Sequence, residues 1–420
     1  MRRLGVLAVL AALVVLLATP VPAGAHGEVA QEPFLRQQTA AFFDVQFSTT
    51  SIKQGEDVTI TGKVRILDTW PQELAQPDKA YLSVTTPGPV VVMVDREIGG
   101  EKAPMSVYVA KGKMYDFKMT VRGRVPGSYH IHPALYVEGA GPLLGPGQWI
   151  TIEEAPGGFT FPITLLNGVT IPDLQSYQTP FLLGFTFLTM VLGMAWMVYW
   201  TVPKPTVTRL AITNLIPSHD IGSDFGLITR RDIRNVSIIA ALGLVLLGVG
   251  VVYGATNFPI TLPPQVIRFE APALPEPPPF ATVRAQQSTY DPQTHALTLK
   301  ALVTNVGSQP ISLQQLTIAN HEFVLGSPQR PWQSQLRVEP ATPLNPGESR
   351  EMTFSIVGDL LETDRLIPMG EPFQATAGVL VFGAPDGAKS YLAVRWPLVV
   401  STFSGGSAAT NPGLARASSS

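Results

Sequence analysis

Apolar and polar positions alternate along much of this chain. Val58, Ile60, Val64 and Ile66 keep one parity, as do Tyr115, Phe117, Met119 and Val121. A period of two marks strands with one buried face. Turn chemistry separates the runs at Thr86-Pro87-Gly88-Pro89, Gly99-Gly100, Val125-Pro126-Gly127 and Gly145-Pro146-Gly147. Short strands at this spacing predict a β-sandwich or barrel over 26–172. The pattern then changes. Phe181 to Trp200 carries no charge, and Val236 to Thr256 is a second uncharged stretch. Each is long enough to cross a bilayer, which predicts transmembrane helices over 178–202 and 235–257. Tyr199 and Trp200 close the first, where an aromatic belt belongs. Prolines crowd 258–282, from Pro259 to Pro279, and predict a semi-rigid extended linker. Alternation resumes with Leu297, Leu299, Ala301 and Val303, and again with Met352, Phe354 and Ile356. Ala384-Pro385-Asp386-Gly387 reads as a hairpin turn. A second sandwich is predicted over 283–402, followed by a disordered tail, rich in Ser, Ala and Gly, over 403–420.

Charge sharpens the membrane reading. Between the two apolar runs lie Lys204, Arg209, Arg230, Arg231 and Arg234, against Asp220, Asp224 and Asp232. The positive-inside rule places 203–234 in the cytoplasm and both β regions on the periplasmic or extracellular side of a cell membrane that the chain crosses twice. The N-terminal residues agree. Arg2 and Arg3, an apolar run from Leu4 to Leu17, Pro20 and the triplet Ala23-Gly24-Ala25 have the layout of a signal peptide over 1–25. A formal net charge of −2 offers no general attraction for nucleic acid.

Cysteine is absent. That excludes disulfides, Cys₄ zinc sites, iron–sulfur clusters and thiolate copper centres, so any metal is held by nitrogen and oxygen. His130-Ile131-His132 places two imidazoles at i and i+2, on one face of a strand, while Tyr129 and Ile131 face the core. Cleavage after Ala25 leaves His26 with a free α-amine, whose reference pKa of about 7.7–8.0 lets a metal displace its proton near neutral pH. His26, His130 and His132 then supply three imidazoles and an amine. Such a set suits copper, with zinc as the competitor. The plain alternative is a chance cleavage point and an incidental His-x-His. His219, His295 and His321 read as solvated surface residues, and no nucleophile elbow, P-loop or dinucleotide fingerprint occurs.

Several strings resemble the B subunit of the copper-dependent membrane monooxygenases, the particulate methane and ammonia monooxygenase family. They are His26-Gly27-Glu28, Pro87-Gly88-Pro89-Val90, Ile98-Gly99-Gly100, Pro126 to His132, and Gly141 to Thr151. The resemblance covers nearly all of the chain after residue 25. It implies a mainly β fold, with two cupredoxin-like β-barrel or sandwich domains joined by two transmembrane α-helices. It implies copper as cofactor, held by His26, His130 and His132, and assembly with the A and C subunits of the monooxygenase as a trimer of heterotrimers. The family reaction is hydroxylation of methane, ammonia or short hydrocarbons by O₂. A second site with two His in some methane-oxidising members corresponds here to Ala41 and Arg65, neither a normal metal ligand, so that site is expected to be absent.

No catalytic residue is assigned by the sequence, because the family's chemistry can lie in the C subunit instead. Two other readings stay open: a membrane-anchored copper-binding or delivery protein without catalysis, and a structural scaffold. Scattered rather than clustered Met residues weigh against delivery.

Overall fold

A computed structural model of the chain describes residues 33–103, 105–164, 168, 170–201, 230–257, 269–276, 278–367 and 375–401. Contacts divide the chain into two units, one reaching to Phe159 and resuming at Arg268, the other spanning Thr160–Ile267. The protein is mainly β, with two long apolar helices lying in sequence between β-rich regions.

The first unit begins with a short helix, α1 (Pro33–Gln38), and eleven strands: β1 (Ala40–Phe47), β2 (Ser51–Lys53), β3 (Asp57–Ile66), β4 (Lys79–Thr85), β5 (Val91–Ile98), β6 (Glu101–Lys102), β7 (Val107–Tyr108), β8 (Met114–Gly123), β9 (Gly127–Val137), β10 (Gly141–Leu144) and β11 (Gln148–Glu153). One sheet runs β1-β3-β8-β5-β6. The other runs β2-β11-β9-β4-β7, with β10 alongside β9. The alternating residues meet between the sheets: Val58, Ile60, Val64 and Ile66 of β3 and Tyr115, Phe117, Met119 and Val121 of β8 are all buried, with Ile131, Leu135 and Ile150 opposite. Each such side chain removed from water contributes roughly 1.5–3 kcal/mol.

The 269–276 stretch, read from its prolines as a spacer, is built into this sandwich. Phe269 O accepts from Tyr108 N at 2.7 Å, and Leu274 N donates to Met114 O at 2.8 Å. Ala271 enters the core. Gly99, at φ +62, allows the close approach, since a Cβ there would lie 2.4 Å from Pro272 O.

In the second unit a small hairpin, β12 (Ile163–Thr164) and β13 (Thr170–Ile171), precedes α2 (Thr179–Thr201) and α3 (Arg230–Asn257). Each helix holds a span long and apolar enough to cross a membrane. Leu183, Phe187, Leu244 and Val251 are among the exposed apolar side chains. Phe181 stacks on Tyr253 at 3.7 Å, and Tyr199 Oη donates to Asp232 at 2.5 Å. The second helix starts earlier than hydropathy sets it, because Arg230, Arg231, Asp232 and Arg234 are helical despite their charge.

The first unit resumes with β14 (Ala281–Ala285), β15 (Ser288–Asp291), β16 (Ala296–Asn305), β17 (Ser312–Ile318), β18 (His321–Val324), β19 (Gln333–Gln335), β20 (Arg337–Glu339), β21 (Ser349–Val357), a one-turn helix α4 (Leu360–Thr363), β22 (Ala375–Gly383) and β23 (Lys389–Val400). The expected hairpin is β22–β23, paired from Ala375↔Pro397 to Gly383↔Lys389. Leu297, Leu299 and Ala301 of β16 lie beside their cross-strand partners Ile356, Phe354 and Met352 on β21, and with Val303 they form part of a separate core. The two sandwiches also share a seam: Ala41, Phe43, Leu67 and Met114 pack on Val379 and Val381. Arg330 reaches across to donate to Val45 O at 2.8 Å.

Candidate metal centre

His130 and His132 lie on β9, where that strand exchanges neighbours. β11 pairs with Gly127 to Ile131, and β10 pairs with Ala134 to Val137. His132 and Pro133 fall between, opposite Gly145-Pro146-Gly147. Proline, which has no N–H to donate, suits a position where one ladder stops and another starts. Ile131 is 1% exposed and points into the core, as alternation requires.

The His132 ring is buried. Its Nδ1 lies 2.8 Å from Gly145 O. A carbonyl only accepts, so Nδ1 carries the hydrogen and Nε2 the lone pair. Nε2 lies 3.0 Å from His130 Nδ1. Gly147 permits this packing: a Cβ there would fall 2.2 Å from His132 Cε1 and 2.4 Å from Nε2. His130 sits edge-on to His132 at 4.4 Å and stacks on Trp149 at 5.2 Å and 23°. Trp149 is the direct cross-strand partner of His130.

The pair fits a metal such as copper. Two nitrogens each about 2.0–2.1 Å from one ion, near a right angle, lie roughly 2.8–3.0 Å apart. The bond from His132 Nδ1 to a backbone carbonyl is the usual way a protein fixes a ligating imidazole and raises its basicity. Among the described residues no group of three His, Asp or Glu converges, so the pair calls for a donor from elsewhere. His26 lies outside the described residues.

Ala41 and Arg65 are cross-strand partners on β1 and β3. Arg65 is ion-paired with Glu276 at 2.6 Å and lies 3.6 Å from Asp68. A methyl and a guanidinium offer no lone pair. His321 is not the solvated residue expected; its side chain is 14% exposed and Nε2 lies 2.8 Å from Asp364 Oδ2. His295 lies between Asp359 and Glu362, at 3.8 and 3.5 Å. His219 lies outside the described residues. Trp149, Gly145 and Gly147 are not assigned from the sequence, although the Gly-Pro-Gly between two apolar strands carries the signal.

An imidazole pair on a β-sandwich, in a chain with two helices of membrane-spanning length, defines a mainly β membrane protein with a candidate metal centre. The model of the monooxygenase B-subunit protein family matches residues 27–403, and the chain belongs to that family. The particulate methane monooxygenase alpha subunit of Methylococcus capsulatus (strain Bath) is 32% identical over 394 residues, covering 90% of this chain and 92% of the relative. Among solved structures, the cupredoxin domain of amoB from Nitrosocaldus yellowstonii is similar with a TM-score of 0.24 and 20% identity, over 31% of this chain and 99% of that one. The PapD-like domain 7 of human CEP192 gives 0.17 and 11%, over 34% and 100%. The chain thus belongs to a membrane monooxygenase as one of its subunits.

Proposed function

We propose that this chain is the copper-binding subunit of a membrane monooxygenase that uses O₂ to hydroxylate methane, ammonia or a short hydrocarbon. The carrying observation is the His130–His132 pair, set 3.0 Å apart with the tautomer of His132 fixed by Gly145 O. His26 completes the set with its imidazole and α-amine. Bound copper supplies one-electron and O₂ chemistry. The residues around it do the rest. Gly145 holds the proton on His132 Nδ1, Trp149 screens one face of His130, and Ile131 ties the strand to the core. Both β-sandwiches lie outside the cytoplasm, and the A and C subunits complete a trimer of heterotrimers; the charged loop between the helices and the family membership support this arrangement.

Copper binding by the full chain in detergent tests the reading. The native chain is expected to hold copper tightly, and the double variant His130→Ala/His132→Ala to lose it. Stoichiometric copper retained by that variant rejects the site. Oxidation of methane, ammonia and short alkanes by native membranes, with and without a copper chelator, then assigns the substrate.

A further inference from the structure

The seam between the two sandwiches holds a cavity of about 540 Å³, within the range of small-molecule sites, roughly 300–1,000 Å³. β3 and β8 form one wall, Leu274 to Glu276 a second, and β14 with the start of β23 a third. The second wall is fixed in place, since Leu274 N donates to Met114 O at 2.8 Å. Met114, Leu274, Val283 and Leu392 line the cavity with hydrocarbon. Lys63, Arg65 and Lys389 bring cations to it, and Asp68 and Glu276 carboxylates. Most of these charges are already matched. Asp44 holds both lysines, Lys63 at 2.9 Å and Lys389 at 3.6 Å. Glu276 accepts from Arg65 Nη1 at 2.6 Å. Asp68 is the loose one: its side chain is 66% exposed, and its oxygen stands 3.6 Å from Arg65 Nη2, too far for a hydrogen bond.

The Arg65 side chain is only 9% exposed, yet a guanidinium carries five N–H donors in a fixed fork. Among the described residues it makes one hydrogen bond, the one to Glu276. A buried charge with donors to spare is costly unless something accepts from them. Such a fork matches a carboxylate or a phosphate, which can take two parallel bonds. Tyr391 stands on the third wall, its ring edge-on to Phe43 at 4.8 Å. Its hydroxyl makes no hydrogen bond among the described residues. Burial, with the Asp44 and Glu276 carboxylates, pushes it up to about 12, so it keeps its proton and can donate. The spare hydrogen-bonding capacity of Arg65 and Tyr391 is thus all donor, beside a wall of hydrocarbon, while the Asp44 and Glu276 acceptors are engaged.

We propose that this cavity binds a small amphiphilic oxyanion, a carboxylate or phosphate on a short apolar body. The Arg65 fork and Tyr391 Oη donate to its oxygens, Asp68 turns out to solvent, and the apolar wall covers the body. The ligand touches both sandwiches, so its binding also fastens the seam and raises the melting temperature. The site is separate from the imidazole pair and does not depend on copper.

The test is calorimetric titration of the full chain in detergent with hexanoate, hexyl phosphate, acetate and hexanol. Hexanoate or hexyl phosphate is expected to bind at least about tenfold more tightly than acetate, which lacks the body, and than hexanol, which lacks the charge. The tighter of the two names the head group. Arg65→Lys keeps the charge but loses the fork, and is expected to weaken binding about tenfold. Tyr391→Phe deletes one hydroxyl and is expected to weaken it severalfold; as the milder change, it keeps the site testable should Arg65→Lys fail to fold. Asp68→Asn removes the competitor for the fork and is expected to tighten binding by about threefold, which an ion pair serving stability alone would not produce. Copper chelation is expected to leave every affinity unchanged. No saturable binding of either anion overturns the site, as do native affinities in both folded Tyr391→Phe and Asp68→Asn. Hexanol binding as tightly as the anions overturns the oxyanion.

Discussion

Gly147 leaves no room beside the His132 ring. A methyl there would stand 2.2–2.6 Å from three ring atoms, so Gly147→Ala forces the imidazole or the loop to move. Overpacking of this kind costs typically about 1–3 kcal/mol, and the bond to Gly145 O is the first thing it strains. The expected outcome is at least a tenfold loss of copper affinity with a lower melting temperature. Unchanged affinity in chelator competition contradicts the geometry. Trp149 acts more gently. Its ring steadies His130 without ligating, and an aromatic contact is worth about 0.5–1.5 kcal/mol. Trp149→Ala is therefore expected to weaken copper binding by a factor of roughly 2–10, with Trp149→Phe between it and the native chain; a total loss would mean that Trp149 does more than stack. The two imidazoles are legible in the sequence because parity alone puts residues 130 and 132 on one face. Trp149 is not, because its place opposite His130 depends on the β9–β11 register. Gly145 and Gly147 read only as a turn, since the close approach of His132 to one and its bond to the other are three-dimensional facts.

Among the elements, β9 shows where pattern reading stops. From Tyr129 to Ile131 it alternates, but Ile131, His132, Pro133, Ala134 and Leu135 are all buried, since the strand is covered on both faces there. Strands β3, β8, β16 and β21 are legible for the opposite reason: each has one face in a core and one outside it. Residues 269–276 read as spacer, because a stretch paired mainly through backbone atoms shows no side-chain period. The start of α3 falls earlier than the sequence suggests because hydropathy reads side chains, whereas a helix forms through its backbone. Ile131 joins core and site within β9. Ile131→Ala is expected to cost about 2–5 kcal/mol through the cavity it leaves, a fall in melting temperature on the order of 5–15 °C. It removes no ligand, so copper affinity measured well below the transition should stay within about threefold of native. A parallel collapse of affinity would show that the core, not the ligand face, sets the pair's geometry.

Across the whole first unit, the ion pairs of Asp44 at the seam between the sandwiches make it sensitive to acid. Asp44 sits at a bulge of β1 with φ +53 and contacts Lys63 at 2.9 Å and Lys389, on the C-terminal hairpin, at 3.6 Å. Burial alone would raise its carboxyl, but the hydrogen bond from Lys63 and the charges of Lys389 and Lys63 outweigh it and hold Asp44 below its ordinary value. Tyr391 lies near, pushed up to about 12 by burial and by the Asp44 and Glu276 carboxylates, so it keeps its proton throughout the acid range. A carboxyl whose folded pKa is depressed stabilises the fold above its unfolded pKa of about 4, and that contribution is lost as pH falls through the lower folded value. The pairs are partly exposed, with side-chain accessibilities of 37–42%, so screening limits the gain to about 0.5–1 kcal/mol. Asp44→Asn tests this cleanly, because Asn accepts positive φ. The variant is expected to melt below the native chain at pH 7, and the gap to narrow as pH falls below about 4. Raising the salt concentration at about pH 7 should narrow it as well. A gap that stays constant from about pH 7 to about pH 2.5 would show that Asp44 acts through packing alone.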